Sequence, residues 1–202
     1  MREKFLKKSI ASVKKKYPYY TEEKLEEIEY GLDAIYLNIP KTLIIFGLAI
    51  ILGIFKDMIL LLTFYGILRT FAFGMHASKS WHCLVISTVM FIGGGLICKY
   101  VNISSYVKII ISIISLLCII KYAPADTHKR PLINAKRRKI YKIVSSIIAL
   151  IYVVLIIIFV NKDISRYLTM GILEAVLMIH PITYKVFQMP YANYKHYNTS
   201  YN

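Results

Sequence analysis

The stretch Ile143-Val-Ser-Ser-Ile-Ile-Ala-Leu-Ile-Tyr-Val-Val-Leu-Ile-Ile-Ile-Phe-Val160 decides the fold. It carries no charge, and its length approaches the ~20 residues that a helix needs to cross the hydrocarbon of a bilayer. Five more apolar segments accompany it, at residues 42–55, 58–68, 84–98, 107–120 and 167–179. They are shorter, although the first can extend back through Ile35 to Ile39 with a kink at Pro40, and the second forward through Phe71 and Phe73. Lys56 and Asp57 form a tight turn between these two. A chain of 202 residues that is 57% hydrophobic, with mean hydropathy +0.54, has more apolar surface than a soluble domain of its size can bury. The expected fold is all-α and polytopic, with about six transmembrane or membrane-embedded helices.

Outside the apolar runs the chain is basic, with 26 Lys and Arg against 11 Asp and Glu and a net charge of +15. No nucleic-acid motif accompanies these charges, so nucleic acid is excluded as a partner in favour of anionic headgroups of a lipid bilayer and an acidic peptide. Near the start, Leu6, Ile10, Val13 and Tyr17 recur at helical spacing among Lys7, Lys8, Lys14, Lys15 and Lys16. This predicts a basic amphipathic helix lying on a membrane surface. Pro18 ends it, Thr21 caps the next helix, and Glu22 and Glu23 fall in its first turn. Residues 1–41 therefore form an interfacial arm, 42–189 a membrane-embedded domain, and 190–202 a polar, tyrosine-rich, mobile tail. The first forty residues are too charged to hold the apolar core of a secretory signal. The arm contains nine Lys or Arg and residues 121–142 contain eight. The positive-inside rule places both in the cytoplasm of a multi-pass cell-membrane protein, with four crossings between them and two after. Both termini, and the loop that follows Arg69, then face the cytoplasm.

That loop is Arg69-Thr-Phe-Ala-Phe-Gly-Met-His-Ala-Ser-Lys-Ser-Trp-His-Cys83. A thiol does chemistry as the thiolate, and needs a proton acceptor or a positive field to become one near neutral pH. His76 can be the acceptor for Cys83. In one straight helix, seven residues would leave the pair about 10 Å apart along the axis, too far for proton transfer. The functional reading therefore requires a break, for which Gly74 and residues 78–80 are suited, with Ser80 as N-cap of a new helix and Cys83 at its third position. A helix N-terminus favours a thiolate. The other two cysteines, Cys98 and Cys118, fall inside apolar runs and read as buried thiols without disulfides.

Arg69, Gly74, His76, Ala77, Ser78 and Cys83 stand in the order and spacing of the accessory gene regulator B family. A second block, Tyr122-Ala-Pro-Ala-Asp-Thr-His-Lys-Arg-Pro131, resembles that family's Tyr-Ala-Pro-Ala stretch with its basic residues and proline. Length, hydropathy and the Tyr30-Gly31-Leu32 to Asn38 stretch agree, so the resemblance covers nearly the whole chain. It implies a membrane cysteine endopeptidase that removes the C-terminal tail of a short amphipathic quorum-sensing propeptide. Carried over by residue, Cys83 is the nucleophile, His76 its general base, and Arg69 and Gly74 are supporting positions. The implied product is a thiolactone, or a lactone, closed by attack of a propeptide side chain on an acyl-enzyme thioester. The cleaved tail is implied to be acidic, with Lys129, Arg130, Lys136, Arg137 and Arg138 as its contacts, and His128 departs from a basic run at that point. A homodimer is also implied, and no cofactor is.

Rival readings attach to other residues. His76, His82, Cys83 and His128 could form a zinc site, but their spacings are unlike paired zinc ligands and no metal is expected. Glu174 lies inside an apolar run, where a charge usually faces a bundle interior, a polar partner or a substrate path. With the basic loop it would serve a small membrane transporter or exporter, a reading that needs no thiol, and a non-catalytic scaffold would need neither. Gly93-Gly-Gly95 reads as close helix packing or a kink.

Overall fold

The computed structural model describes residues 2–75, 80–127 and 131–195. Eight helices occur among them: α1 (Arg2–Lys16), α2 (Glu22–Ile51), α3 (Phe55–Ala72), α4 (Ser80–Tyr100), α5 (Ser105–Tyr122), α6 (Ala135–Ile158), α7 (Ile164–Ile179) and α8 (Pro181–Val186). Among the described residues an isolated parallel bridge joins Phe73 to Ala125. The protein is all-α, as its apolar periodicity requires. Four helices, α2, α4, α5 and α6, are long and apolar enough to cross a membrane, which marks a membrane protein. All six apolar segments are helical, yet two do not meet that measure. α3 carries Lys56, Asp57 and Arg69, and α7 has only 16 residues.

The chain divides into two compact units, Met1–Leu48 and Ala49–Asn202. In the first, α1 folds back along the start of α2. Arg2 donates to both oxygens of Asp33 at 2.6 and 2.5 Å, the rings of Phe5 and Tyr36 lie 5.3 Å apart, and Lys14 pairs with Glu22 at 2.6 Å. Leu6 and Leu25 are buried while the lysines of α1 stay exposed, so the amphipathic pattern is used partly within the arm itself. Exposed ion pairs of this kind contribute at most about 1 kcal/mol each. α2 continues through Pro40 without interruption of the helix.

In the second unit α7 is the central helix, packed against α3, α4, α5 and α6. Eleven of its residues are buried, from Ser165 to Ile179. Its close approach to α3 depends on Gly171, where a Cβ would meet Phe64 Cβ at 3.0 Å and the Tyr65 nitrogen at 3.1 Å. Polar groups lock the same layers: Tyr152 of α6 donates to the Phe64 carbonyl at 2.9 Å, and Tyr167 of α7 donates to Asp57 of α3 at 2.5 Å. Gly94 and Gly95 face α3 and α7 closely, as the glycine run predicts, whereas Gly93 faces open space. The turn before α3 falls earlier than the expected Lys56 and Asp57. Gly53 takes φ +64° there, a conformation that favours glycine, and its N–H returns to the Ile50 carbonyl at 3.0 Å.

Candidate active site

α3 ends at Ala72, and the chain that leaves it is held by Arg69. Its guanidinium donates to the carbonyls of Phe73, of Gly74 at 3.1 Å and of Met75 at 2.5 Å, a use of the planar fork that a lysine cannot copy. Phe73 turns the chain at φ +57° and Gly74 at φ +118°. A Cβ on Gly74 would sit 2.7 Å from the Met178 carbonyl oxygen, so the position excludes any larger residue by both conformation and space. The resemblance implies that Arg69 and Gly74 are supporting positions; in the structure Arg69 binds the three carbonyls that follow the helix and Gly74 lets the chain turn.

The redirected strand is gripped on both sides. Gly74 donates to the Ala125 carbonyl at 2.7 Å, Ala125 donates to that of Ala72 at 3.0 Å, and Met75 donates to that of Met178, at the end of α7, at 2.9 Å. Met75 is buried, and His76 follows it directly in sequence. The first motif is thereby joined to the second, whose Ala123–Pro124 bond is cis. His76 itself, with Lys129, Arg130 and His128, lies outside the described residues. So do the cap expected of the Ser80 side chain and half of the rival zinc set.

Cys83 is a free, partly exposed thiol in the first turn of α4, at its fourth residue rather than its third. Trp81 and His82 precede it with their rings 3.9 Å apart. Cys98 is buried in the last turn of α4, and Cys118 is partly buried within α5.

Asp126 escaped the sequence reading. It is 2% exposed, and its carboxylate accepts three backbone N–H groups: Leu132 at 3.2 Å, Asn193 at 2.9 Å and Tyr194 at 2.8 Å. The Tyr184 hydroxyl, on α8, donates to the Ala125 and Asp126 carbonyls at 3.3 and 3.0 Å. Burial raises the Tyr184 phenol above its ordinary range against the opposing charge of Arg69, and raises Tyr191 to about 12. The tail expected to be mobile is thus docked as far as it is described, turned back at Gln188 and Ala192 with φ +51° and +54°. A signal was available: Asp126 is the one acidic residue in a strongly basic loop.

The basic positions separate into two kinds. Lys136 and Arg137 are exposed in the first turn of α6, whose N-cap Asn134 accepts the Arg137 N–H at 3.1 Å. Arg138 instead donates to the carbonyls of Leu132 and Ile133 at 2.7 and 2.8 Å and lies 4.0 Å from the centre of the Tyr194 ring. Glu174 points into the notch at Gly94, with neither oxygen bonded among the described residues, so the polar partner named for it is not found there.

Residues 6–180 match the family model described as accessory gene regulator B. An AgrB-like protein of Clostridium acetobutylicum is 33% identical over 84% of this chain and 81% of its own length. An AgrB-like protein of Listeria monocytogenes serotype 4a is 30% identical over 87% and 86%. The accessory gene regulator protein B of Staphylococcus aureus is 30% identical over 78% and 83%. No solved structure matches. With the family model spanning most of the chain and relatives of 30% identity or more covered over most of their length, the chain belongs to the accessory gene regulator B family of quorum-sensing proteins.

Proposed function

We propose that this protein is a membrane cysteine endopeptidase that trims a short propeptide and promotes its cyclisation. The observation that carries the reading is Cys83, a free and partly exposed thiol in the first turn of a membrane helix, in a chain of this family. His76 takes the thiol proton, and the sulfur attacks the carbonyl of the scissile bond. The carbon–nitrogen bond breaks, His76 returns the proton to the leaving amine, and the upstream peptide remains as a thioester on Cys83. A cysteine within the propeptide then gives its proton to His76 and attacks that thioester, closing a thiolactone and releasing Cys83. A serine in its place gives a lactone. One thioester replaces another, so ring closure needs little driving force if water is kept from the acyl-enzyme.

The substrate in this reading is amphipathic, with an acidic C-terminal tail that meets Lys136 and Arg137 together with Lys129 and Arg130. Arg138 is withdrawn from that set by its bonds to the loop. In this reading the chain crosses six times with the site and both termini on the cytoplasmic side, and the propeptide is processed before export. Co-expression with a neighbouring short reading frame encoding such a peptide, followed by mass analysis of membranes, tests the reading. Cleavage and a product lighter by one water than the linear upstream fragment are expected. An uncleaved propeptide would reject it.

A further inference from the structure

We propose that Asp126, held by the C-terminal tail, is a positioning residue for the active-site strand: the tail is part of the catalytic scaffold rather than an appendage. This rests on the peptidase reading above. The strand Phe73 to Met75, which leads into His76, is fixed on one side by the carbonyl and N–H of Ala125. Ala125 has no helix or sheet of its own to hold it, since α5 ends at Tyr122 and the bridge to Phe73 is isolated. What holds it is its neighbour. Asp126 is anchored through two carboxylate oxygens by the N–H groups of Asn193 and Tyr194, and Tyr184 bonds the carbonyls of both 125 and 126.

Three features make this a built contact. Asp126 and Asn193 are both buried, at 2% and 1% exposure. The Asn193 amide also donates to the Pro190 carbonyl at 2.9 Å, closing the tail into a loop that presents its N–H groups. The tail adopts positive φ at two non-glycine residues, Gln188 and Ala192, which persists only where surrounding bonds over-determine it. A carboxylate is the group that can accept two N–H bonds on different oxygens while also taking the Leu132 N–H. Asparagine keeps one of those oxygens and alanine none, which gives a graded series.

The test uses the full-length protein in membranes or detergent, with two readouts. Hydrogen exchange of the peptide covering residues 73–75 reports the strand directly, and kcat and KM for propeptide cleavage report its consequence. In Asp126→Ala, and separately in a chain ending at Gln188, exchange at 73–75 should accelerate. The value of kcat should fall by up to about 10²-fold, the scale of a ~1 Å displacement of a reacting group, with KM little changed. Asp126→Asn should fall between alanine and wild type, and Tyr184→Phe, which deletes only a hydroxyl, covers the case in which the larger changes prevent folding. Alanine and truncation together should cost no more than either alone. Wild-type exchange at 73–75 in folded Asp126→Ala and Tyr184→Phe, or a loss carried by KM alone, overturns the proposal. A wild-type protein that cleaves no propeptide rejects the peptidase reading instead, and the exchange measurement then decides the clamp on its own.

Discussion

At Gly74 a backbone φ of +118° coincides with a carbonyl oxygen 2.7 Å from where a Cβ would stand. Gly74→Ala should therefore destabilise the α3 exit by about 1–3 kcal/mol and remove propeptide cleavage, and a melting curve beside an activity assay checks both. Arg69→Lys should act similarly, because one ammonium cannot reach three divergent carbonyls at once. Glu174 is the opposite case. A buried carboxyl with no donor among its described neighbours costs stability, and glutamine fills the same notch without a charge. Glu174→Gln is expected to keep or raise the melting temperature; a marked fall would mean that a donor reaches the carboxyl in the bilayer. At this scale the resemblance singled out Arg69, Gly74 and Cys83, since motif spacing is local. Asp126 stands out only as a lone acid in a basic loop, and its structural role is not legible there, because the groups that hold it, Tyr184, Asn193 and Tyr194, lie about sixty residues away in a segment whose composition reads as a solvated tail.

Among elements, the first turn of α6 joins two effects of opposite sign. Lys136 and Arg137 stand at the positive end of a helix dipole, where cations are unfavourable by roughly 0.3–1 kcal/mol each. Neutralising both should leave thermal stability unchanged or slightly raised, while KM for the propeptide rises and cleavage becomes less salt-sensitive, since the attraction is screened over about 8 Å at physiological ionic strength. Unchanged salt dependence would reduce the cluster to an orientation signal. The docked tail carries a pH dependence of its own. Burial raises Tyr191 from 10.0 to about 12 and Tyr184 in the same direction, so the folded state favours the neutral phenols. Their contribution is complete below pH 10 and is lost as pH rises toward 12, which limited proteolysis of the tail across that window should reveal. Helix positions were legible because each apolar run is long enough to dictate one. The turn at Gly53 and the docking of the tail were not, since a charged pair is a weaker stop signal than a glycine at positive φ.

For the whole molecule, the sequence reading identified an all-α membrane protein but could not rank its helices. α7 resembles any other apolar segment, yet it is the one that α3, α4, α5 and α6 pack around, and burial of that kind depends on partners that no local window contains. Topology is the corresponding prediction. Single cysteines at Asn102 and Ser78 in a cysteine-free background should differ on intact cells, with an impermeant reagent labelling only position 102. The claim on which the rest depends is that Cys83 carries the acyl group. It is tested most directly by intact-mass analysis of the protein co-expressed with a propeptide whose internal cysteine or serine is changed to alanine, which blocks ring closure. The account predicts an adduct with the mass of the upstream fragment on Cys83, absent from Cys83→Ala and retained when Cys98 and Cys118 are both alanine. Cleavage that survives Cys83→Ala, or an adduct mapped to another residue, would contradict it.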